Sequence, residues 1–188
     1  MKIWLTSFSV FILIMLGCQP SQSNAAESLT GSKPEFIKIP ALDIQAEIAP
    51  FGLRNYEQIP PDGEKVFWYE DGVNPGGPGN AVLAGHFDDY VGPAVFYHLH
   101  ELKTGDYIYI VTENDYILTY RVEDVETYKR AEAPVKSIFY GSGKSKLNLV
   151  TCSGYYSKKE KTHSHRTVVT AALKGKSYPY QPITEPPL

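Results

Sequence analysis

The chain has 188 residues and a formal net charge of −3, a length suited to one domain and a charge without the basic footprint of a nucleic-acid binder. Its 43% hydrophobic content can bury an ordinary core, and 14 tyrosines within a 13% aromatic fraction favour strands over helices.

The first residues read as a targeting segment. Lys2 precedes an apolar stretch from Ile3 to Leu16, shorter than the about 20 residues of a spanning helix and suited to a signal h-region. It ends in Met15-Leu16-Gly17-Cys18, which resembles a bacterial lipobox, where the cysteine is lipidated. Met15 stands where leucine is usual, and Ser23-Asn24-Ala25 offers a competing cleavage site. Residues 1–18 are therefore expected to be a signal or lipoprotein segment with Cys18 as lipidation site. Either route puts the domain outside the cytoplasmic membrane. Residues 19–33, rich in Ser, Ala and Gln, are expected to form a flexible tether.

The folded domain is expected over residues 34–177. Phe36–Ile39 and Ile44–Ile48 alternate apolar and polar residues, as half-buried strands do. Asn80–His86 is a continuous apolar run, the pattern of a strand buried on both faces. Asp106–Thr112 and Ile117–Val125 flank a hairpin turn at Glu113-Asn114-Asp115. Lys146–Cys152 and Arg166–Leu173 complete the strands. Phe96–Leu99 and Pro134–Tyr140 are each read as a helical turn, and residues 178–188 as a proline-rich tail. The class is all-β, a closed barrel or sandwich.

Two cysteines are present. If Cys18 carries lipid, Cys152 has no disulfide partner, which raises the question of a reactive thiol. An inert buried cysteine and a Cys18–Cys152 disulfide are the competing readings. Cys152 ends an apolar run before Ser153-Gly154, and His86 follows Gly85 at the end of another. Strand ends opening into loops are common addresses for chemistry. An imidazole beside a thiol can take its proton or stabilise the thiolate, and can later protonate a leaving amine. Arg166 opens the last strand, where a permanently charged guanidinium can hold an oxyanion. Taken singly, each residue has a plain structural alternative: a core cysteine, a strand-end histidine, a surface arginine.

Together the motifs resemble the sortase family. They are Gly85-His86, Phe96-x-x-Leu99-x-x-Leu102-x-x-Gly105-Asp106, Leu147-x-Leu149-x-Thr151-Cys152-x-Gly154 and Arg166-x-Val168-Val169-x-Ala171-x-Leu173. Ile37-x-Ile39-Pro40 and Ile44-x-Ala46-x-Ile48 fit that family's first strands, so the resemblance runs from about residue 36 to 173. The Trp68-Tyr69 region and the Pro75–Gly79 loop point to class F, with class D next. The resemblance implies a closed eight-stranded β-barrel with short helical turns. It also implies cleavage of a Leu-Pro-x-Thr-Gly-type sorting signal between Thr and Gly. Cys152 would be the nucleophile, His86 the acid/base and Arg166 the oxyanion or substrate group. The implied partners are surface proteins with a C-terminal sorting signal and an amine acceptor such as a peptidoglycan precursor. Thr151, Val135 and Ile138 are carried over as substrate-binding residues.

No cofactor or metal is expected. His163 and His165 alternate and could share a strand face as a metal half-site, but further ligands are not evident. Glu101, Asp106, Glu123 and Asp124 are scattered. Asp88 and Asp89 follow His86, where a carboxylate can orient the ring. The stretch from Ser153 to His165, with Lys158, Lys159 and Lys161, reads as a solvated loop. Gly141-Ser142-Gly143-Lys144-Ser145 is not a phosphate loop, because Ile138 occupies the required glycine position. Pro75–Gly79 is a turn rather than a dinucleotide fingerprint. An L,D-transpeptidase would need Arg two residues after the cysteine, where Gly154 stands. A non-catalytic surface lipoprotein with Cys152 in its core is the alternative from a different class.

Overall fold

The computed structural model describes residues 30–52 and 60–177. The readings made on residues 1–18, on Cys18 and on the tail from Tyr178 lie outside the described residues.

Eight strands make up the fold: β1 (Pro34–Ile39), β2 (Ile44–Phe51), β3 (Val66–Tyr69), β4 (Gly79–Gly85), β5 (Tyr107–Thr112), β6 (Ile117–Lys129), β7 (Ser145–Ser157) and β8 (Thr162–Ser177). They close into a barrel in the order β1-β2-β3-β4-β7-β8-β6-β5. The pairs β2/β3 and β4/β7 are parallel and the rest antiparallel. One short helix, α1 (Val135–Phe139), lies between β6 and β7. The expected all-β closed eight-stranded barrel with short helical turns is the observed class.

Local chemistry sets the corners. Pro40, which cannot donate to the ladder, ends β1 in a tight turn closed by Asp43 N–H to Pro40 O at 3.2 Å. Asp43 and Asp115 occupy left-handed backbone, φ 53° and 57°, which short polar residues tolerate. Asp115 closes the β5–β6 hairpin at the expected place.

Alternation decides what faces inward. Ala81, Leu83, Leu147, Leu149, Val169 and Ala171 join Ile37, Ile110 and Tyr120 in the barrel interior. The intervening residues Val82, Val150 and Val168 face outward, where Ile138, Phe139, Tyr69 and Tyr128 cover them as a second apolar cluster. That cover explains why β4 reads as apolar on both faces. Asn80 on β4 and Asn148 on β7 pin α1 across both strands: Asn80 Nδ2 donates to Ser137 O (2.7 Å) and Asn148 Nδ2 to Ile138 O (2.6 Å).

The structure departs from the sequence reading in three places. Ser32, assigned to the tether, is buried and donates its backbone N–H to Pro75 O. Strand β3 was not anticipated. The stretch from Ser153 to His165 is not a loop: β7 continues to Ser157 and β8 begins at Thr162, so Cys152 and Arg166 both lie inside a hairpin. A bulge between Ser153 and Tyr156 accommodates the extra residue. Gly154 sits there at φ 77°, and a Cβ would come within 2.6 Å of the His165 ring.

Candidate active site

Cys152 on β7 is directly paired with Arg166 on β8, two steps after Val150↔Val168. Directly opposed residues of an antiparallel pair share a face, and that face is the outer one already carrying Val150 and Val168. The sulfur is therefore not sealed in the barrel; Cys152 is a half-buried free thiol. On the other side, β4 and β7 run parallel in the register Ala84↔Val150. Two residues further along each chain stand His86 and Cys152. The β7/β8 register sets Cys152 and Arg166 side by side, and His86, the first residue beyond the end of β4, continues the β4/β7 register to their level. Tyr128 on β6 pairs with Arg166 and extends the row. Its hydrogen bond with Glu126, followed by burial and the charges of Glu126 and Asp124, pushes its pKa up to about 12, so it stays a neutral phenol.

Gly85 is required where it stands, because a Cβ there would lie 2.6 Å from the Phe96 ring. His86 follows, with Nε2 at 2.8 Å from Pro60 O and its ring edge-on to Phe67. A carbonyl only accepts, so Nε2 carries the proton, and Nδ1 is the basic nitrogen of the neutral ring. Pro60, rather than either following aspartate, orients the imidazole.

The Cys152 pKa is raised above its ordinary value. Burial is the largest cause; Arg166 pulls it down and the charge of Asp88 pushes it up again. Burial thus favours the thiol over the thiolate at this position. Arg166 Nη1 donates to His163 O (3.0 Å) and His165 O (2.7 Å), and Nη2 to Thr162 Oγ1 (2.9 Å). This holds the guanidinium by main chain and hydroxyl. Its Nε–H and second Nη2–H have no partner among the described residues.

Of the three residues expected to bind substrate, Thr151 turns away from the row and the other two lie on α1. Thr151 faces the barrel interior, 3% exposed, and donates Oγ1–H to Gly85 O at 2.9 Å. It joins the strand of Cys152 to the strand before His86 rather than lining the outer face. Ile138 is 6% exposed beneath α1, packed on Val82 and Val168, and is a packing residue. Val135 is exposed on α1. His163 and His165 form no metal half-site: His163 Nε2 lies 3.2 Å from Asp88 Oδ2, and His165 Nδ1 bonds Ser164. Among the described residues no three ligating side chains gather into a metal site. The Asp88–His163 pairing went unread, because contacts between distant segments leave no periodic signal.

The family model described as Sortase domain matches residues 37–174. None of the curated proteins matches the chain. Among solved structures it is similar to sortase A of Listeria monocytogenes, with 20% identity, TM-score 0.59, and coverage of 79% of this chain and 89% of that one. It is also similar to sortase C-1 of Actinomyces oris, with 26% identity, TM-score 0.59, and 74% and 73% covered. A Clostridium perfringens sortase D5 transpeptidase matches with 21% identity, TM-score 0.58, and 76% and 79% covered.

Proposed function

The chain belongs to the sortase family, and on that premise we propose that it is a cysteine transpeptidase acting on surface proteins with a Leu-Pro-x-Thr-Gly-type sorting signal. Class F is the closest subgroup on sequence features, with class D next. The observation that supports this reading is the Cys152↔Arg166 pair on the outer barrel face, with His86 just beyond the end of the strand that flanks Cys152.

The chemistry follows from the state of each group. His86 Nδ1 takes the proton from the neutral thiol as Sγ attacks the Thr carbonyl. The tetrahedral oxyanion forms next to the uncommitted N–H groups of Arg166, a charge already fixed in place before reaction. The imidazolium returns the proton to the departing glycine amine, leaving a thioester on Cys152. An amine from a cell-wall precursor or another protein then attacks the thioester. His86 accepts its proton, and collapse gives an amide and the free thiol. In the outward cluster next to the row, Tyr69, Tyr128, Phe139 and Val150 are only partly buried and suit an apolar peptide. Attachment through lipidated Cys18 would hold the domain at the outer face of the cytoplasmic membrane, where such substrates and acceptors meet.

The test is a panel of quenched Leu-Pro-x-Thr-Gly peptides with added amines, using the full-length protein. Cleavage between Thr and Gly is expected, with turnover falling by about a thousandfold or more in Cys152→Ala and strongly in His86→Ala and Arg166→Ala. Undiminished turnover in Cys152→Ala refutes the reading.

A further inference from the structure

Beyond Gly85 the parallel β4/β7 ladder stops, at Ala84↔Val150. His86 is therefore carried by a loop rather than by the sheet. Its carbonyl accepts from Phe96 N–H, and the loop tip is closed on itself by Asp89, which caps the amides of Val91 and Gly92. A polar pair, buried on its His163 side and partly exposed at Asp88, sets this loop against the β7–β8 hairpin. His163, 7% exposed, lies near the start of β8. Its ring is flanked edge-on by Phe87 (5.4 Å) and Tyr156 (5.3 Å), and Phe87 stacks on Tyr97 at 4.6 Å. An imidazole enclosed this way needs a polar partner, and Asp88 Oδ2 supplies it at 3.2 Å.

Each partner touches the reacting row through a separate route. Asp88 is two residues from His86. The main-chain carbonyl of His163 accepts from Arg166 Nη1 at 3.0 Å. One residue thus holds the His86 loop with its side chain and the guanidinium with its backbone. We propose that Asp88 and His163 are a positioning pair for acyl transfer, fixing the loop that carries the proton acceptor against the hairpin that carries the oxyanion donor. Neither touches the reacting atoms; the pair positions His86 and Arg166, and the Asp88 charge also reaches the Cys152 sulfur. The inference rests on the transpeptidase reading above. A displacement of about an ångström between such groups can cost orders of magnitude in rate.

Two readouts keep the pair and that reading distinguishable. The first is kcat and KM per titrated active site on the best peptide for Asp88→Ala, His163→Phe, His163→Gln and the double variant Asp88→Ala/His163→Phe. Phe fills the aromatic cage without a donor, whereas Gln keeps an N–H for Asp88. The expected result is a drop of about tenfold or more in kcat for Asp88→Ala and His163→Phe, with KM within about twofold of the parent. The double variant should be no slower than the worse single, and His163→Gln should recover most of the loss. Additive losses, or Gln no better than Phe, overturn the proposal.

The second readout is the pH profile of Cys152 alkylation by iodoacetamide, which needs no peptide. Arg166 and Asp88 are the charges acting on the sulfur, and His86 stands at its level. Asp88→Asn, which keeps the shape and removes the charge, should move the midpoint to lower pH. An unmoved midpoint in folded protein counts against the pair, whatever the peptides do. Wild type that cleaves no peptide yet shows the shift refutes the transpeptidase reading and retains the coupling of Asp88 to Cys152.

Discussion

Leu147, Leu149 and Thr151 turn into the barrel, whereas Asn148, Val150 and Cys152, alternating with them on the same strand, turn outward to α1 and the proposed peptide groove. The inward set is sealed: both leucines are fully buried, and Thr151 spends its hydroxyl on Gly85 O. The outward set is polar or partly covered, and its Cys152 faces charge from Arg166 and Asp88. A closed barrel thus gives each strand a packing face and a face on which chemistry can be placed without opening the core. The same alternation on β8 puts Val169 and Ala171 inside and Arg166 and Val168 outside.

Substitutions on the two faces should therefore fail in different ways. After Cys152→Ala, the largest effect belongs to Arg166→Ala. It should cost about a hundredfold to a thousandfold in kcat while leaving the thermal midpoint close to that of the parent. It should also move the alkylation midpoint of Cys152 to higher pH, since a positive neighbour that lowers the thiol pKa is gone. A midpoint that moves down would break the assignment of Arg166 to that face. Next comes Leu149→Ala, which should lower stability by about 2–5 kcal/mol, read from denaturant midpoints. At temperatures where the variant stays folded, its kcat should remain near the parental value. Smallest is Thr151→Val, which removes the donor to Gly85 O and should cost about 1 kcal/mol. If Thr151 instead bound substrate, KM would rise with no change in stability.

Much of this was legible in the sequence, for physical reasons that also explain the gaps. Strands with clean alternation, such as Phe36–Ile39 and Ile44–Ile48, were readable because one face meets the core and the other meets water. The apolar run in β4 was readable because α1 covers its outer face. Strand β3 was missed because Val66-Phe67-Trp68-Tyr69 is four residues long and shows no alternation. The hairpin beyond Cys152 was missed because Gly154, the lysines and the histidines resemble loop composition; there the ladder continues through a bulge. The types and order of His86, Cys152 and Arg166 pointed to the site. The contacts that hold them, Pro60 O on His86 and Asp88 on His163, join segments far apart in the chain and had no local signature.

The most direct test of the central claim, that Cys152 faces a peptide on the outer barrel wall with Arg166 and His86 beside it, is intact-mass analysis of the protein mixed with a Leu-Pro-x-Thr-Gly peptide and quenched in acid without added amine. The account predicts an adduct with the mass of the peptide up to Thr, mapped to Cys152, released by hydroxylamine and absent in Cys152→Ala. Peptide cleavage that proceeds with no adduct on Cys152, and equally well in Cys152→Ala, would contradict it.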